Sequence, residues 1–207
     1  MRVSFENARH TEVWKLRKLW SEVFHDEEWY LDLFFGNIFD RENTLVGKIE
    51  DKVAAMLYMV PYKLKYENNV CEVMYLYALA TDESFRRKGI MTELIKKSEK
   101  IVEDLGYIGS FLVPAEESLF SYYEDLGFNK IIGSNCQNYI ILNEKQRFVN
   151  EKVILHEKQL SESENIKNED NGNVNDVIIK GLFRSNKQLP HIVNKKHMDI
   201  YIKGVLL

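Results

Sequence analysis

A strand end, a short basic loop and the start of a long helix follow one another in Leu76-Tyr77-Ala78-Leu79-Ala80-Thr81-Asp82-Glu83-Ser84-Phe85-Arg86-Arg87-Lys88-Gly89-Ile90-Met91. Backbone N–H groups in the first turn of a helix have no partner within the helix, and the helix dipole adds positive potential there. Such a loop can bind a pyrophosphate while Arg86, Arg87 and Lys88 neutralise its charge. It is neither a Walker loop nor a Rossmann fingerprint, because GxxxxGK[ST] and GxGxxG are both absent. By spacing alone, a basic cluster of this kind is more often a solvated turn than an anion site.

The residues after this loop alternate between helical and strand patterns. One face of residues 90–105 is apolar and the other is charged, which predicts an amphipathic helix with Gly106 as its C′ residue. The pattern then predicts a buried strand over 107–114, a helix over 117–126 closed by Gly127, and two strands over 128–132 and 137–142.

The residues before the loop predict a strand, two helices and three further strands. The first helix begins after Thr11 and the second covers 29–38; the strands cover 2–5, 44–50, 53–66 and 70–81, with turns at Asp51-Lys52 and Asn68-Asn69. Pro61 cannot donate to a strand ladder, so we expect an edge position or a bulge there. This order predicts an α/β protein of the α+β type, with a mixed sheet flanked by helices.

The ordered pattern ends near Asn143 in a chain of 207 residues. Residues 157–176 contain only three apolar side chains, too few to offset the entropy of ordering, so we expect a flexible segment there. The pattern returns at 177–183 and 198–207. We therefore predict a domain over 1–143 and a C-terminal extension over 144–207, whose tail can add strands to the main sheet or pair with a neighbouring chain in a homodimer.

Composition excludes several classes of protein. The 28 Lys and Arg against 32 Asp and Glu give a net charge of −4 with no long basic block, so we expect no binding to duplex nucleic acid. No window approaches about eighteen uncharged apolar residues, so we expect neither a signal peptide nor contact with a membrane. Because Cys71 and Cys136 are far apart and no histidines stand at ligand spacing, we expect a reduced, cytoplasmic protein without a metal.

Two segments match the motifs of one family. Arg86 and Gly89 have the spacing of a signature written as Arg or Gln, two residues, Gly, one residue, then Gly or Ala, with Met91 at its last position. The second segment, Phe120-Ser121-Tyr122-Tyr123-Glu124-Asp125-Leu126-Gly127-Phe128, matches a late motif written Tyr-Glu-x-x-Gly-Phe. Both resemble the GNAT superfamily of acyl-CoA-dependent N-acetyltransferases. The element order of residues 1–143 is similar too, which implies a GNAT-like, mostly antiparallel sheet.

The resemblance implies acetyl-CoA as cosubstrate. Its pantetheine arm would pair with the backbone at the strand end before the loop, at Leu79, Ala80 and Thr81. Its pyrophosphate would be held by the loop and the helix start, mostly through main-chain N–H groups, at Arg86, Arg87, Lys88, Gly89, Ile90 and Met91. A Met at the last of these positions can crowd the phosphate or point into the core.

The resemblance also implies two groups that act on the thioester. The backbone N–H of Leu79 would face the thioester carbonyl and stabilise developing negative charge. Tyr123 would be the general acid, because a thiol with a pKa of about 8.5 leaves better when an acid of matched strength protonates it. The alternative role of Tyr123 is that of a core aromatic packed between helix and sheet.

The base and the acceptor side are less determined. Many GNAT enzymes carry a Glu on the strand before the loop, and that place falls close to Tyr75 here. Glu72 is the nearest acid, but it has the opposite strand parity. A water chain that ends at Tyr75, Tyr77, Glu27 or Glu28 is an equal candidate. The stretch His25-Asp26-Glu27-Glu28-Trp29-Tyr30 combines acids with aromatic rings, and Glu27, Glu28 and Trp29 are its candidates for the acceptor side. Such a group can attract a cationic amine, or simply form an ordinary helix N-terminus.

Three functions remain open at this level. The first is transfer of an acetyl group from acetyl-CoA to a primary amine of a small molecule or peptide, by direct attack in a ternary complex. The second is a catalytically inactive GNAT-like module that binds CoA, another ligand or a partner. The third is an interaction domain in which residues 86–91 form only a basic turn.

Overall fold

The computed structural model describes residues 2–66, 69–128, 130–132, 139–141, 181–185 and 197–198. The helices are α1 (Val13–Phe24), α2 (Glu28–Asn37), α3 (Ile90–Asp104) and α4 (Phe120–Asp125). The strands are β1 (Ser4–Asn7), β2 (Thr44–Ile49), β3 (Lys52–Tyr66), β4 (Asn69–Thr81), β5 (Gly109–Leu112), β6 (Lys130–Ile132), β7 (Tyr139–Ile141), β8 (Gly181–Ser185) and β9 (His197–Met198). Short 3-10 turns precede α1, β2, α3 and α4.

The strands form one mixed sheet in the order β1-β2-β3-β4-β5-β8-β6-β9, and β7 pairs with β3. All neighbours are antiparallel except β4 with β5 and β6 with β9. The predicted class, a mixed and mostly antiparallel sheet flanked by helices, is therefore confirmed.

Helices cover both faces of the sheet because β4 alternates its side chains between two apolar cores. Val73, Tyr75 and Tyr77 belong to the core that contains the buried residues of α1 and α2. Met74 and Leu76 belong to the core that contains those of α3 and Tyr123 of α4. This alternation is the two-residue period of a strand that is buried on both sides.

The β2–β3 turn lies one residue earlier than predicted. Ile49 pairs with Lys52, so the turn residues are Glu50 and Asp51, not Asp51 and Lys52. Both have positive φ, at 48° and 64°, as a two-residue type I′ hairpin requires.

The β3–β4 hairpin also differs slightly from the prediction at its turn. Asn69 is already part of β4, where it pairs with Tyr66, and Asn68 lies outside the described residues. Pro61 lies between the part of β3 that pairs with β2, which ends at Tyr58, and the part that pairs with β7, which begins at Lys63. This confirms its position at a local edge.

A bulge interrupts β4 just before its end. Met56 of β3 faces Ala80, whereas Tyr58 faces Tyr77, so β4 has one extra residue in this interval. Ala78 has a φ of 47°, which is rare for a residue other than glycine. As a result Ala78 joins the same core as Tyr77, while Leu79 packs against the opposite one.

The C-terminal part of the chain contributes a strand to the centre of this order. β8 pairs antiparallel with both β5 and β6.

The boundary proposed at residue 143 stays a prediction, and the flexible segment predicted over 157–176 lies outside the described residues. Within the described ranges, no helix has both the length and the apolar character needed to cross a membrane.

Candidate functional site

A groove opens where β4 and β5 separate. The two parallel strands pair only at Met74 with Ser110 and at Tyr75 with Phe111. In the described part of the chain, no strand pairs with this edge of β4 beyond Tyr75, so its backbone groups can bind a ligand. The groove has a volume of about 1900 Å³, and α1, β4, the loop before α3, β5 and α4 all line it.

The basic loop and the start of α3 form one end of the groove. Gly89 is the N-cap of α3 with a φ of 74°, and Arg87 also has a positive φ, at 60°. The Glu93 N–H donates to the Gly89 carbonyl as the first bond of the helix, so the N–H groups of the three residues before Glu93 have no partner within it. N–H groups without a partner inside α3, beside Arg86 and Arg87, suit a phosphate.

The cationic side chains of this loop differ in their positions. Arg86 lines the groove and its Nε donates to the carbonyl of Thr81 at 3.2 Å. Lys88 is not among the groove residues; its Nζ donates to the Ser84 carbonyl at 2.8 Å and lies 5.1 Å from the ring centre of Phe85.

Met91, the departure from the family signature, fits the site. Its side chain is half-buried and packs against the core between α3 and the sheet, while the residue also lines the groove. Of the two positions open to it, the structure supports packing into the core.

Tyr123 lines the groove from α4 and is 8% exposed. Its ring makes edge contacts with Tyr122 and Phe128, at 5.0 and 6.3 Å between ring centres. The Tyr122 hydroxyl lies 3.1 Å from Oγ1 of Thr92 on α3, which ties the two helices together. Burial, and to a smaller degree the neighbouring Tyr122, raises the pKa of Tyr123, so its hydroxyl is protonated at neutral pH.

The opposite wall contains a network of hydroxyl, indole and carboxylate groups. The Tyr30 and Tyr77 hydroxyls lie 2.7 Å apart, and Nε1 of Trp20 donates to Oδ2 of Asp26 at 2.7 Å. Burial raises the pKa of Tyr30 to about 12 and that of Tyr77 well above its usual value. Neither tyrosine is a phenolate at neutral pH, so neither removes a proton from an ammonium group in that form.

The structure brings most of the predicted site residues to the groove. They are Tyr75, Tyr77, Leu79, Thr81, Arg86, Arg87, Gly89, Ile90, Met91 and Tyr123. Ala80 is fully buried beneath this wall and, like Lys88, is not a lining residue.

The predicted acids lie elsewhere. Glu72 is exposed and does not line the groove; the bulge begins only after Tyr77, so it does not change the parity of Glu72 relative to Tyr75. Glu28 is exposed and pairs with Arg17 at 2.6 Å. Glu27, the N-cap of α2, accepts from Nε1 of Trp29 at 2.7 Å, and neither of these two residues is a lining residue.

Asp26 belongs to the acid-rich stretch that the sequence indicates for the acceptor side, although the acids named as candidates there are Glu27 and Glu28. It is next to Glu27 and Glu28 in the chain, and no pattern in the sequence separates it from them. The distinction comes from His25, which ends α1 with a φ of 59° and turns the chain so that His25 and Asp26 line the groove. The buried Trp20 then holds the Asp26 carboxylate.

Charges of both signs line the groove. Arg86 and Arg87 line its α3 end together with Glu83. The other acids of the lining are Glu116 and Glu117 before α4, and Glu22 and Asp26 on the α1 side. The two arginines suit an anionic ligand, and the acids of the α1 side suit a cationic one. Within the described residues, no group of three or more His, Cys, Asp or Glu side chains is placed to hold a metal ion.

Comparison with known proteins identifies one family. A family model described as an acetyltransferase (GNAT) domain matches residues 4–131. A comparison with curated protein sequences gives no significant match.

Solved structures share the fold at low sequence identity. A GCN5-related N-acetyltransferase from Anabaena variabilis is 18% identical with a TM-score of 0.54, over 65% of this chain and 33% of that one. The chain thus spans about a third of that protein. The ribosomal-protein-S18-alanine N-acetyltransferase from Escherichia coli is 16% identical with a TM-score of 0.50, over 65% and 80%. An acetyltransferase of the GNAT family from Staphylococcus aureus is 10% identical with a TM-score of 0.53, over 90% and 100%.

Proposed function

The chain belongs to the GNAT acetyltransferase family, and from this premise we propose that it transfers an acetyl group from acetyl-CoA to a primary amine of a small molecule or peptide. The observation that carries the proposal is the groove between β4 and β5. Along it lie N–H groups that have no partner within α3, an edge of β4 that no strand of the described residues pairs with, and a protonated tyrosine. Transfer occurs by direct attack of the amine on the thioester, with both substrates bound together.

The α3 end of the groove suits the pyrophosphate of acetyl-CoA. The N–H groups at the start of α3 bind its oxygens, and Arg86 and Arg87 neutralise its charge. The pantetheine arm contains two amides and can pair with the unpaired edge of β4 near Leu79 as an added strand. The extra residue at the bulge changes the direction of the backbone groups there, which favours an N–H directed at the thioester carbonyl.

Tyr123 is the proposed acid for the leaving thiolate. The raised pKa keeps its hydroxyl protonated, so it can donate a hydrogen bond to the sulfur as negative charge develops. The raised pKa also makes Tyr123 a weaker acid than an exposed tyrosine, so its proposed contribution is a hydrogen bond to the sulfur that strengthens as the thiolate forms.

Asp26 replaces Glu72, Glu27 and Glu28 as the proposed acceptor-side acid. It lines the groove on the α1 side, and the hydrogen bond from Trp20 holds its carboxylate in place. An acceptor ammonium can pair with this carboxylate on binding. Before attack it gives a proton to the carboxylate, directly or through a water molecule, and the neutral amine is the nucleophile. Trp20, Tyr75 and Tyr77 line the same wall and suit the apolar part of a cationic amine.

The test is thiol release from acetyl-CoA over a panel of primary amines. The wild type should release thiol with at least one amine, and Tyr123→Phe should lower kcat about a hundredfold while the Kd for acetyl-CoA changes less than about twofold. Tyr107→Phe is the matched control, because Tyr107 is half-buried outside the groove.

Two results would contradict the proposal. Undetectable acetyl-CoA binding at millimolar concentration would eliminate the cofactor site. Tight binding without thiol release from any amine would instead identify a module that binds CoA without catalysis.

A further inference from the structure

A single arginine from the C-terminal strand β8 contacts both helices that form the α3 and α4 walls. Nε of Arg184 lies 3.4 Å from Oε2 of Glu99 on α3, and its Nη1 donates to the Leu126 carbonyl, just after α4, at 3.0 Å. Its side chain also covers Gly127: a Cβ atom there would lie 3.5 Å from Cδ and Nε of Arg184. The three contacts fix the guanidinium between the two helices.

Glu99 is a buried carboxylate that needs this cation. It is 5% exposed; Ser110 of β5 donates to its Oε1, and its Oε2 has no hydrogen bond to any described residue. Burial raises the pKa of Glu99, whereas Ser110 and then Arg184 act in the opposite direction. The ion pair with Arg184 is therefore the contact that offsets the charge on Oε2, although its geometry is not that of a hydrogen bond.

The other end of the contact is the termination of α4. The Phe128 N–H donates to the Tyr123 carbonyl at 3.1 Å and the Gly127 N–H to the Glu124 carbonyl at 2.9 Å, while Gly127 has a φ of 94°. This is a Schellman motif, and the rings of Tyr123 and Phe128 make its accompanying apolar contact. Arg184 supplies a donor to one of the last carbonyls of this short helix, where a cation is favourable.

Tyr123 consequently lies between two links that join α3 and α4. The first is the contact of Thr92 with Tyr122, and the second is the bridge from Glu99 through Arg184 to Leu126. Thr92 and Glu99 are seven residues apart, or about 10 Å along a helix. Two separated links add to the core packing of Tyr123 and Phe120 and oppose rotation of α4, a helix of only 6 residues, against α3.

We propose that Arg184 is a positioning residue for the transfer reaction, which holds α4 so that the Tyr123 hydroxyl points at the thioester. This inference rests on the proposed function of the groove. It implies that the C-terminal strand β8 contributes to the geometry of the site through Arg184. Residue 184 lies far beyond both family motifs and beyond the region that the family model matches.

The variants are chosen to separate positioning from the balance of buried charge. Arg184→Met should lower kcat about tenfold while the KM for acetyl-CoA changes less than about twofold, because a small misplacement of a catalytic group affects the transition state most. Glu99→Gln in the Arg184→Met background removes the unpaired carboxylate. It should restore the melting temperature but leave kcat low, because the Leu126 carbonyl still has no donor.

Two further variants complete the design. Lys100→Met removes an exposed cation on the same helix, paired with Asp104 at 2.8 Å, and should change neither kcat nor melting temperature. Arg184→Lys keeps a cation near Glu99 but cannot form the same bridge, so it should retain stability and lose part of kcat. It also serves if Arg184→Met fails to fold.

Hydrogen exchange of the peptide 120–128 gives a readout that does not need activity. Exchange should be faster in Arg184→Met and in the double variant than in the wild type. Recovery of kcat together with stability in the double variant, or unchanged exchange in both, would overturn the positioning role. A wild type that binds acetyl-CoA but releases no thiol would instead refute the proposed function, while the exchange experiment would still measure the structural link.

Discussion

Gly47 of β2 lies directly under the first residue of α3, so alanine at this position tests how the phosphate end of the groove is supported. A Cβ atom at Gly47 would lie 2.8 Å from Cγ2 of Ile90 and 3.4 Å from Cε1 of Phe5. The first distance is shorter than real carbon contacts, so Ile90 must move. Ile90 is 3% exposed and β-branched, and a helix leaves such a side chain essentially one χ1 rotamer.

The expected cost follows from overpacking. Inserting a methylene-sized group into a well-packed core destabilises by about 1–3 kcal/mol. In a chain of this length each kcal/mol lowers the melting temperature by roughly 2–4 °C. Ile90 directly follows Gly89, so a displacement of Ile90 also displaces the N–H groups at the start of α3. If this displacement weakens the binding of acetyl-CoA by about 1 kcal/mol, its Kd rises roughly fivefold.

Urea unfolding and titration calorimetry with acetyl-CoA measure the two effects. Ile90→Leu removes the branch methyl that Gly47→Ala meets, so the double variant should be more stable than the sum of the single changes predicts, by about 1 kcal/mol. Gly36→Ala is the matched control: a Cβ there meets nothing within 4 Å, and within α2 it should stabilise by about 0.5–1 kcal/mol. Additivity of Gly47→Ala and Ile90→Leu within about 0.5 kcal/mol would refute the packing of α3 on β2.

Three further predictions concern charge. Arg87→Ala should weaken acetyl-CoA binding, measured by calorimetry, about tenfold because a charge-assisted contact is removed. Lys88→Ala should change the same Kd less than about twofold, because the Lys88 amine donates to the Ser84 carbonyl outside the groove. Burial holds the pKa of Glu99 above its ordinary value of 4.5, so the folded chain binds this proton more tightly than the unfolded chain does. The stability contributed by Glu99 is therefore present below pH 4.5 and is lost as the pH rises through the folded pKa. Glu99→Gln should remove this part of the pH dependence of the free energy of unfolding, measured by urea titration. A pH profile that is the same in the variant and the wild type would contradict this prediction. Asp26→Asn should raise the KM for a cationic amine about tenfold, because an ion pair to the ammonium is lost, and should leave the KM for acetyl-CoA unchanged. Glu22→Gln is the control. An equal effect of Glu22→Gln would show that general negative charge, and not the Asp26 carboxylate held by Trp20, attracts the acceptor.

Local patterns in the sequence predicted the elements that carry strong local signals. The apolar stripe and Gly106 marked α3 to within a residue, and Gly127 marked the end of α4. The β2–β3 turn was displaced by one residue because Glu50-Asp51 is not one of the pairs, such as Asn-Gly or Asp-Gly, that mark a type I′ turn in a sequence. Its position depends on the register of the two strands, which is a pairing property.

The residues of the proposed cofactor end could be named from the sequence for the same reason. A loop and the helix that follows it are contiguous in the chain, so one short motif contains the whole of this proposed site. The proposed acceptor end is assembled from α1, the turn after it and β4, and no local pattern indicates which of three consecutive acids faces the groove. A left-handed residue at His25 makes that choice, and its conformation depends on how α1 packs.

The sequence alone therefore determined the family, the order of the elements and the basic loop before α3, because these depend on short-range periodicity and on a contiguous motif. The tertiary structure alone decided three things: the bulge at Ala78, the position of Asp26 in the groove lining with Glu72, Glu27 and Glu28 outside it, and the bridge from Arg184 to Glu99 and Leu126. Each depends on contacts between residues far apart in the chain, and side-chain direction at such contacts is set by strand register and packing, which no window of sequence contains.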